Sequence, residues 1–268
     1  MDDILSSHVN KKVNDNFKKW LESKYGGIGK VKTTRGKIHD YLGMKLDFTK
    51  NGKVKIDMIK YVERMISDYP EKLKSTDMSI NASGKNLFEK GNGKPLNKSE
   101  REVFHNFVAR GLFLAKRSRP DILPTIAILC GRVTAPNEDD WKKLTKLMKY
   151  LNGTRKKCLT LCVDNMKVIK WMMDAAFAVH PDFKSHSGAT MSMGKGSMQS
   201  ISKKQKLNTR SSTEAELVGV DDMMGQILWT KLFLESIGYQ IDKNILFQDN
   251  KSAIILEENG RNSVGKRT

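Results

Sequence analysis

The spacing of apolar residues changes repeatedly along this chain, and the changes exclude both an all-helical and an all-β fold. Met44, Leu46 and Phe48 alternate with polar residues, as do Val54, Ile56 and Met58. A period of two marks half-buried strands, and Asn51-Gly52 between the runs reads as a hairpin turn because both residues tolerate positive φ. Elsewhere the period is three to four. Val9, Val13, Phe17 and Trp20 mark a helix over 9–24, stopped by Gly26 and Gly27. IKYVERMISDY reads as a short helix ending before Pro70. Val103, Phe107, Val108, Leu112 and Ala115 share a face of a helix over 99–116, and further helices are expected over 121–132 and 137–151. In the last of these, Glu138, Asp139 and Asp140 precede Lys142, Lys143, Lys146 and Lys149, an order that suits the helix dipole.

From about residue 158 the pattern turns to strands. LTLCV and VIKWMMDAAFA are expected to be neighbours, with ATMSMGKG and SMQSISK as a hairpin. Residues 212–236 read as one long helix with Leu217, Val220, Met224, Ile227 and Leu228 on its apolar face. ILFQD follows as a strand and KSAIILEEN as a closing helix. The order β-β-β-β-α-β-α implies a mixed sheet with helices packed on it, an α/β (α+β) fold. Between the halves, residues 71–98 are polar, glycine-containing and aperiodic, and read as a loop or linker.

The 48 Lys and Arg outnumber the 30 Asp and Glu, leaving a net charge of +18. That excess points to a polyanionic partner, nucleic acid ahead of an acidic membrane surface. Three cysteines with no CxxC pair argue against a disulfide framework and favour a reducing compartment. Cys158 and Cys162 read as small apolar residues in or beside a strand rather than as zinc ligands. No stretch approaches the ~18 consecutive apolar residues of a membrane span. MDDILSSHVN lacks a signal-peptide pattern, so neither a secreted nor a membrane protein is expected.

Three acids stand at element ends. Asp174 interrupts an apolar strand, where an unpaired acid is costly. Glu216 lies in the first turns of the long helix, and Asp249 ends ILFQD. Carboxylates that cluster repel one another unless a hard cation sits among them, and Mg²⁺ prefers oxygen ligands. Local roles compete with that reading. Asp249 is placed to cap the helix that follows it. Glu216 can close a capping box with Thr213, or Glu214 one with Ser211.

RSSTEAELVGV, with KKQK before it, resembles the segment entering the first long helix of ribonuclease H domains in copia-type LTR retrotransposons. WMMDAAFA, HSGATMSMGKGSMQSISKKQ, ILWTKLFLESIG and FQDNKSAI are similar to that family's segments, in its order. Upstream, DYLGMKLDF, RPDI and APNEDDWKKLTKLMKYLNGT resemble the part of the same Pol polyprotein between polymerase and ribonuclease H. MDDIL resembles the end of a reverse-transcriptase Y-x-D-D motif.

The resemblance implies a reverse-transcriptase palm and primer-grip remnant over 1–70, a linker over 71–98 and a helical thumb or connection region over 99–155. A ribonuclease H-like domain over 156–268 follows, with a mixed five-stranded sheet cut short at its C-terminal end. Ribonuclease H carboxylates then fall on Asp174, Glu216 and Asp249. Glu216 is chosen over Glu214 because ELVGV matches the family's Glu before an apolar helix face. These three acids would hold Mg²⁺, or Mn²⁺, in a two-metal site. The paired polymerase acids fall on Asp2 and Asp3, and the primer-gripping turn on Tyr41, Leu42 and Gly43. The implied reaction is hydrolysis of RNA in RNA–DNA hybrids beside an incomplete polymerase. The implied partners are the hybrid, a template-primer and the rest of the polyprotein, inside the cell in the cytoplasm, in a virus-like particle, or in the nucleus. An inactive nucleic-acid-binding remnant is the alternative. The chain departs from the family in having DAAFA where DADWA is common, though the first Asp is kept.

Overall fold

The computed structural model describes residues 3–260, and their strands divide between two sheets. The chain enters through α1 (Lys11–Tyr25), whose first turn is closed by the Asn10 side chain accepting from the Lys12 N–H. No residue of α1 is buried, and Val13 and Trp20 of its apolar stripe face solvent. An antiparallel meander follows: β1 (Ile38–Tyr41), β2 (Met44–Asp47) and β3 (Lys53–Asp57). Its tightest turn is Leu42-Gly43. Both residues have positive φ, 47° and 76°, and Tyr41 pairs directly with Met44 across them. Asn51-Gly52 also reverses the chain, but only Gly52 has a positive φ.

The helical body consists of α2 (Ile59–Ser67), α3 (Lys98–Ala115), a 3₁₀ turn at Pro120–Ile122, α4 (Leu123–Cys130) and α5 (Glu138–Gly153). Asn97 with Glu100, and Asn137 with Asp140, form reciprocal capping boxes that start α3 and α5. The apolar faces meet around Met65, Phe104, Ile126, Leu129, Leu144 and Leu147, all fully buried. The irregular segment between α2 and α3 lies against α5. The Asn152 side chain donates to the carbonyls of Lys74 and Asp77, and Leu96 enters the core.

The remaining elements are β4 (Leu159–Val163), β5 (Val168–Ala176), β6 (His186–Ser192), β7 (Gly194–Lys195), β8 (Gln199–Lys204), α6 (Ser212–Ser236), β9 (Lys243–Phe247) and α7 (Lys251–Asn259). LTLCV and VIKWMMDAAFA are not neighbours. β4 runs antiparallel to β3, with Ile56 opposite Leu159 and Val54 opposite Leu161, and β7 pairs on its far side. Matching apolar residues take the free edge of β3, while both edges of β5 are occupied, by β6 antiparallel and β9 parallel. The second sheet, in the order β8-β6-β5-β9, therefore has four strands among the described residues, not five.

α6 packs on this sheet by a face different from the expected one. Val220 and Ile227 are buried, but Met224 and Leu228 are exposed, and Glu216, Gly219, Met223 and Thr230 are buried instead. Gly219 explains the rotation. A Cβ there would lie 2.9 Å from the Met173 sulfur, so its absence lets the helix approach β5 closely. Ile169, Trp171, Met173, Met191, Met223 and Ile227 fill the space between.

Candidate metal centre

The parallel pairing of β5 with β9 brings two acids to one end of the second sheet. The ladder ends with Met172 opposite Phe247. Asp174 lies two residues beyond the first and Asp249 two beyond the second, so both emerge side by side. α6 starts over the same end and supplies Glu216. Carboxylate oxygens of Asp174, Glu216 and Asp249 all lie within 4.8 Å of one another, and no other such acidic group occurs among the described residues. Asp174 and Asp249 are exposed, whereas Glu216 is 4% exposed.

Glu216 is held from two sides. One oxygen accepts the Ala175 N–H at 3.1 Å, and the other accepts from the Gln248 side chain at 3.0 Å. The local roles that compete for these acids fall to their neighbours. Ser211 caps α6 by accepting the Glu214 N–H, and the Glu214 carboxylate takes the Arg210 N–H. Asn250, not Asp249, caps α7 by accepting the Ala253 N–H. Glu216 and Asp249 are thereby left to the cluster.

The electrostatics are unbalanced. Burial pushes the Glu216 carboxyl above its usual range, and the charges of Asp174 and Asp249 push the same way. The hydrogen bonds from Gln248 and Ala175 oppose them. Among the described residues no Lys, Arg or His forms an ion pair with any of the three acids. Three hard oxygen donors without a counter-charge fit a divalent cation such as Mg²⁺.

The surroundings contain groups that carry no sequence signal. Gln248 is an amide beside an acid, without a pattern to mark it. Next to Asp174 opens a cleft of about 420 Å³ between β5, β6 and β8 and the Pro120–Pro124 turn, lined by Met172, Gly188, Thr190 and Ser202. At its edge His186, 7% exposed, exchanges hydrogen bonds with His180 (3.1 Å) and Ser202 (2.7 Å).

The other expected site residues lie elsewhere. Asp2 is outside the described residues. Tyr41, Leu42 and Gly43 form the β1–β2 turn, where the Leu42 N–H donates to the Asp3 carboxylate at 3.3 Å. Asp3 belongs to no group of three or more clustered ligands among the described residues. No helix among them is long and apolar enough to cross a membrane.

The chain is similar to retrovirus-related Pol polyproteins of plant transposons. It is 26% identical over 235 residues to the one from transposon TNT 1-94 of Nicotiana tabacum, covering 84% of this chain and 17% of that protein. It is 30% identical over 141 residues to the one from transposon RE2 of Arabidopsis thaliana, covering 52% of this chain and 10% of that protein. A putative transposon Ty5-1 protein of Saccharomyces cerevisiae is 21% identical over 229 residues, covering 85% of this chain and 72% of that protein. The chain thus corresponds to a small part of the plant polyproteins. No family model matches it.

Proposed function

We propose that this chain is a part of a copia-type retrotransposon Pol polyprotein, spanning reverse-transcriptase and ribonuclease H segments. Its three-acid site hydrolyses the RNA strand of RNA–DNA hybrids with Mg²⁺ or Mn²⁺. The observation that carries this reading is the convergence of Asp174, Glu216 and Asp249 from three separate elements, with no ion pair to any of them among the described residues. A bound pair of divalent ions would supply an activated water and neutralise charge on the phosphate. The chain's own residues do the positioning. Glu216, fixed by Ala175 and Gln248, is the rigid ligand. Asp174 and Asp249 face solvent, where a phosphodiester approaches. The net charge of +18 draws the polyanion to the surface.

The similarity to Pol polyproteins supports the same reading, as does the mixed sheet carrying α6. The hybrid and the rest of the polyprotein are the partners that it implies. The test offers the purified chain an RNA–DNA hybrid, the same sequence as DNA duplex, and single-stranded RNA, with Mg²⁺ or with chelator. Cleavage of the RNA strand in the hybrid alone, lost with chelator and in Asp249→Asn, is expected. Tight binding of the hybrid without cleavage would leave a nucleic-acid-binding remnant.

A further inference from the structure

Two loops leave the second sheet at the end where the acids cluster. Residues 177–185 join β5 to β6 and begin three residues after Asp174. Residues 205–211 join β8 to α6 and end five residues before Glu216. The loops are tied together. The Asp182 carbonyl accepts from the Asn208 side chain and the hydroxyls of Ser185 and Thr209 bond at 3.0 Å, while the Asp182 carboxylate pairs at 2.7 Å with Lys204, the last residue of β8. Within the first loop, the Phe183 N–H donates to the His180 carbonyl and the His180 N–H to the Lys184 carbonyl.

This pinned frame holds Phe183 in an unfavourable state. Its φ is 58°, a left-handed conformation that costs a bulky residue energy, and its side chain is 73% exposed. The fold therefore tolerates backbone strain at a residue whose ring is left largely exposed. Leu207 on the second loop is 62% exposed. Exposed Lys206 and Arg210 flank it, and neither forms an ion pair among the described residues. Two apolar tips are too small an area for a protein interface. An exposed aromatic ring and unpaired cations on two loops tied to each other suit a single nucleotide, whose base stacks while its phosphates are neutralised.

We infer that this rim binds an unpaired nucleotide flanking the duplex, with Phe183 as the stacking platform and Lys206 and Arg210 as phosphate contacts. The inference rests on the nucleic-acid reading above and extends it. It assigns to the site a preference for hybrids that carry a single-stranded flank. Because every base has a π-face, the preference is for unpaired bases rather than for a sequence.

The experiment reads binding in chelator, so that hydrolysis plays no part. The probes are a short blunt RNA–DNA hybrid and the same hybrid extended by unpaired thymidines. The proteins are the full chain, Phe183→Ala, Phe183→Gly and Phe183→Trp. Wild type is expected to prefer the extended probe. Phe183→Ala and Phe183→Gly should lose about five- to hundredfold on that probe and nothing on the blunt one. Phe183→Gly should also raise the thermal midpoint, because glycine adopts positive φ without strain, which separates lost stacking from lost folding. Phe183→Trp should keep the preference, with its fluorescence quenched by the extended probe only. Equal wild-type affinity for both probes, or equal weakening of both by Phe183→Ala, overturns the rim and leaves the hybrid reading intact. Failure to bind either probe overturns both. A preserved preference in a protein that cleaves nothing supports the rim while removing the hydrolase reading.

Discussion

Gln248 donates a 3.0 Å hydrogen bond to the Glu216 carboxylate and stands immediately before Asp249. One residue thus couples the acid on α6 to the acid at the end of β9. Its own oxygen accepts the Asn250 N–H at 3.0 Å, which fixes the amide and so the direction of its donor. Replacing Gln248 by Leu should free one Glu216 oxygen and lower Mg²⁺ affinity about 10- to 100-fold, the usual effect of losing a ligand's supporting partner. Calorimetric titration checks it; an unchanged affinity would show that Ala175 alone orients Glu216.

Gly219 sets how closely α6 lies on β5. A branched side chain there must displace Met173 and the hydroxyl of Ser187, both within 3.4 Å of an added Cβ. Gly219→Val should destabilise the protein by about 1–3 kcal/mol and move Glu216 away from the sheet end. A lowered denaturant midpoint together with weakened Mg²⁺ binding is the expected pair of results.

Arg119 is 1% exposed and depends on Asp121, with which it forms a two-pronged hydrogen-bonded pair, and on Thr154. Burial pushes the Asp121 carboxyl up. Hydrogen bonds from Arg119 and Tyr150, with the charges of Arg119 and Lys157, outweigh it and hold the carboxyl below its usual range. Asp121→Asn would leave a buried guanidinium without its counter-charge and should cost about 3–5 kcal/mol. Urea unfolding of the variant measures this directly.

His186 makes stability depend on pH. Burial, and then the neighbouring His180, lower its pKa from 6.5 to about 4. The folded state binds the proton more weakly than the unfolded chain, so this contribution is complete above pH 6.5 and is lost as pH falls to about 4. The difference is worth roughly 3 kcal/mol. Phe88 packs edge-on against both imidazoles, so charging the pair loosens the segment between α2 and α3 as well. Unfolding free energies between pH 7 and 4 should decline over that window, and His186→Gln should flatten the decline from a lower plateau.

Much of this arrangement was legible in the residues, and the gaps have physical causes. Asp174 stood out because an acid in an apolar strand demands compensation. The alternation of strands and helices followed from the changing apolar period, whereas the capping boxes at Asn97 and Asn137 appeared only in the fold. The partner of LTLCV did not follow from the period, because strand pairing joins segments far apart: β4 pairs with β3, about a hundred residues before it, and not with the next strand in sequence. The buried face of α6 was misread because Glu216, Gly219 and Thr230, which lie on it, are not apolar. Turn chemistry marked Asn51-Gly52, whereas the tighter turn at Leu42-Gly43 was expected only through the family resemblance, since leucine seldom adopts a positive φ. Gln248 was invisible because one amide at a strand end has no period or spacing.

Asp174→Asn tests most directly the proposal that Asp174, Glu216 and Asp249 share a divalent cation. Without metal the three carboxylates repel, so removing one charge should raise the thermal midpoint in chelator above that of wild type. With Mg²⁺ the order should reverse, because wild type gains the free energy of binding and the variant does not. The measurement is the thermal midpoint of both proteins across a Mg²⁺ titration, with crossing curves as the expected result. Parallel curves, with Mg²⁺ moving both proteins equally or neither, would contradict a metal centre at these residues.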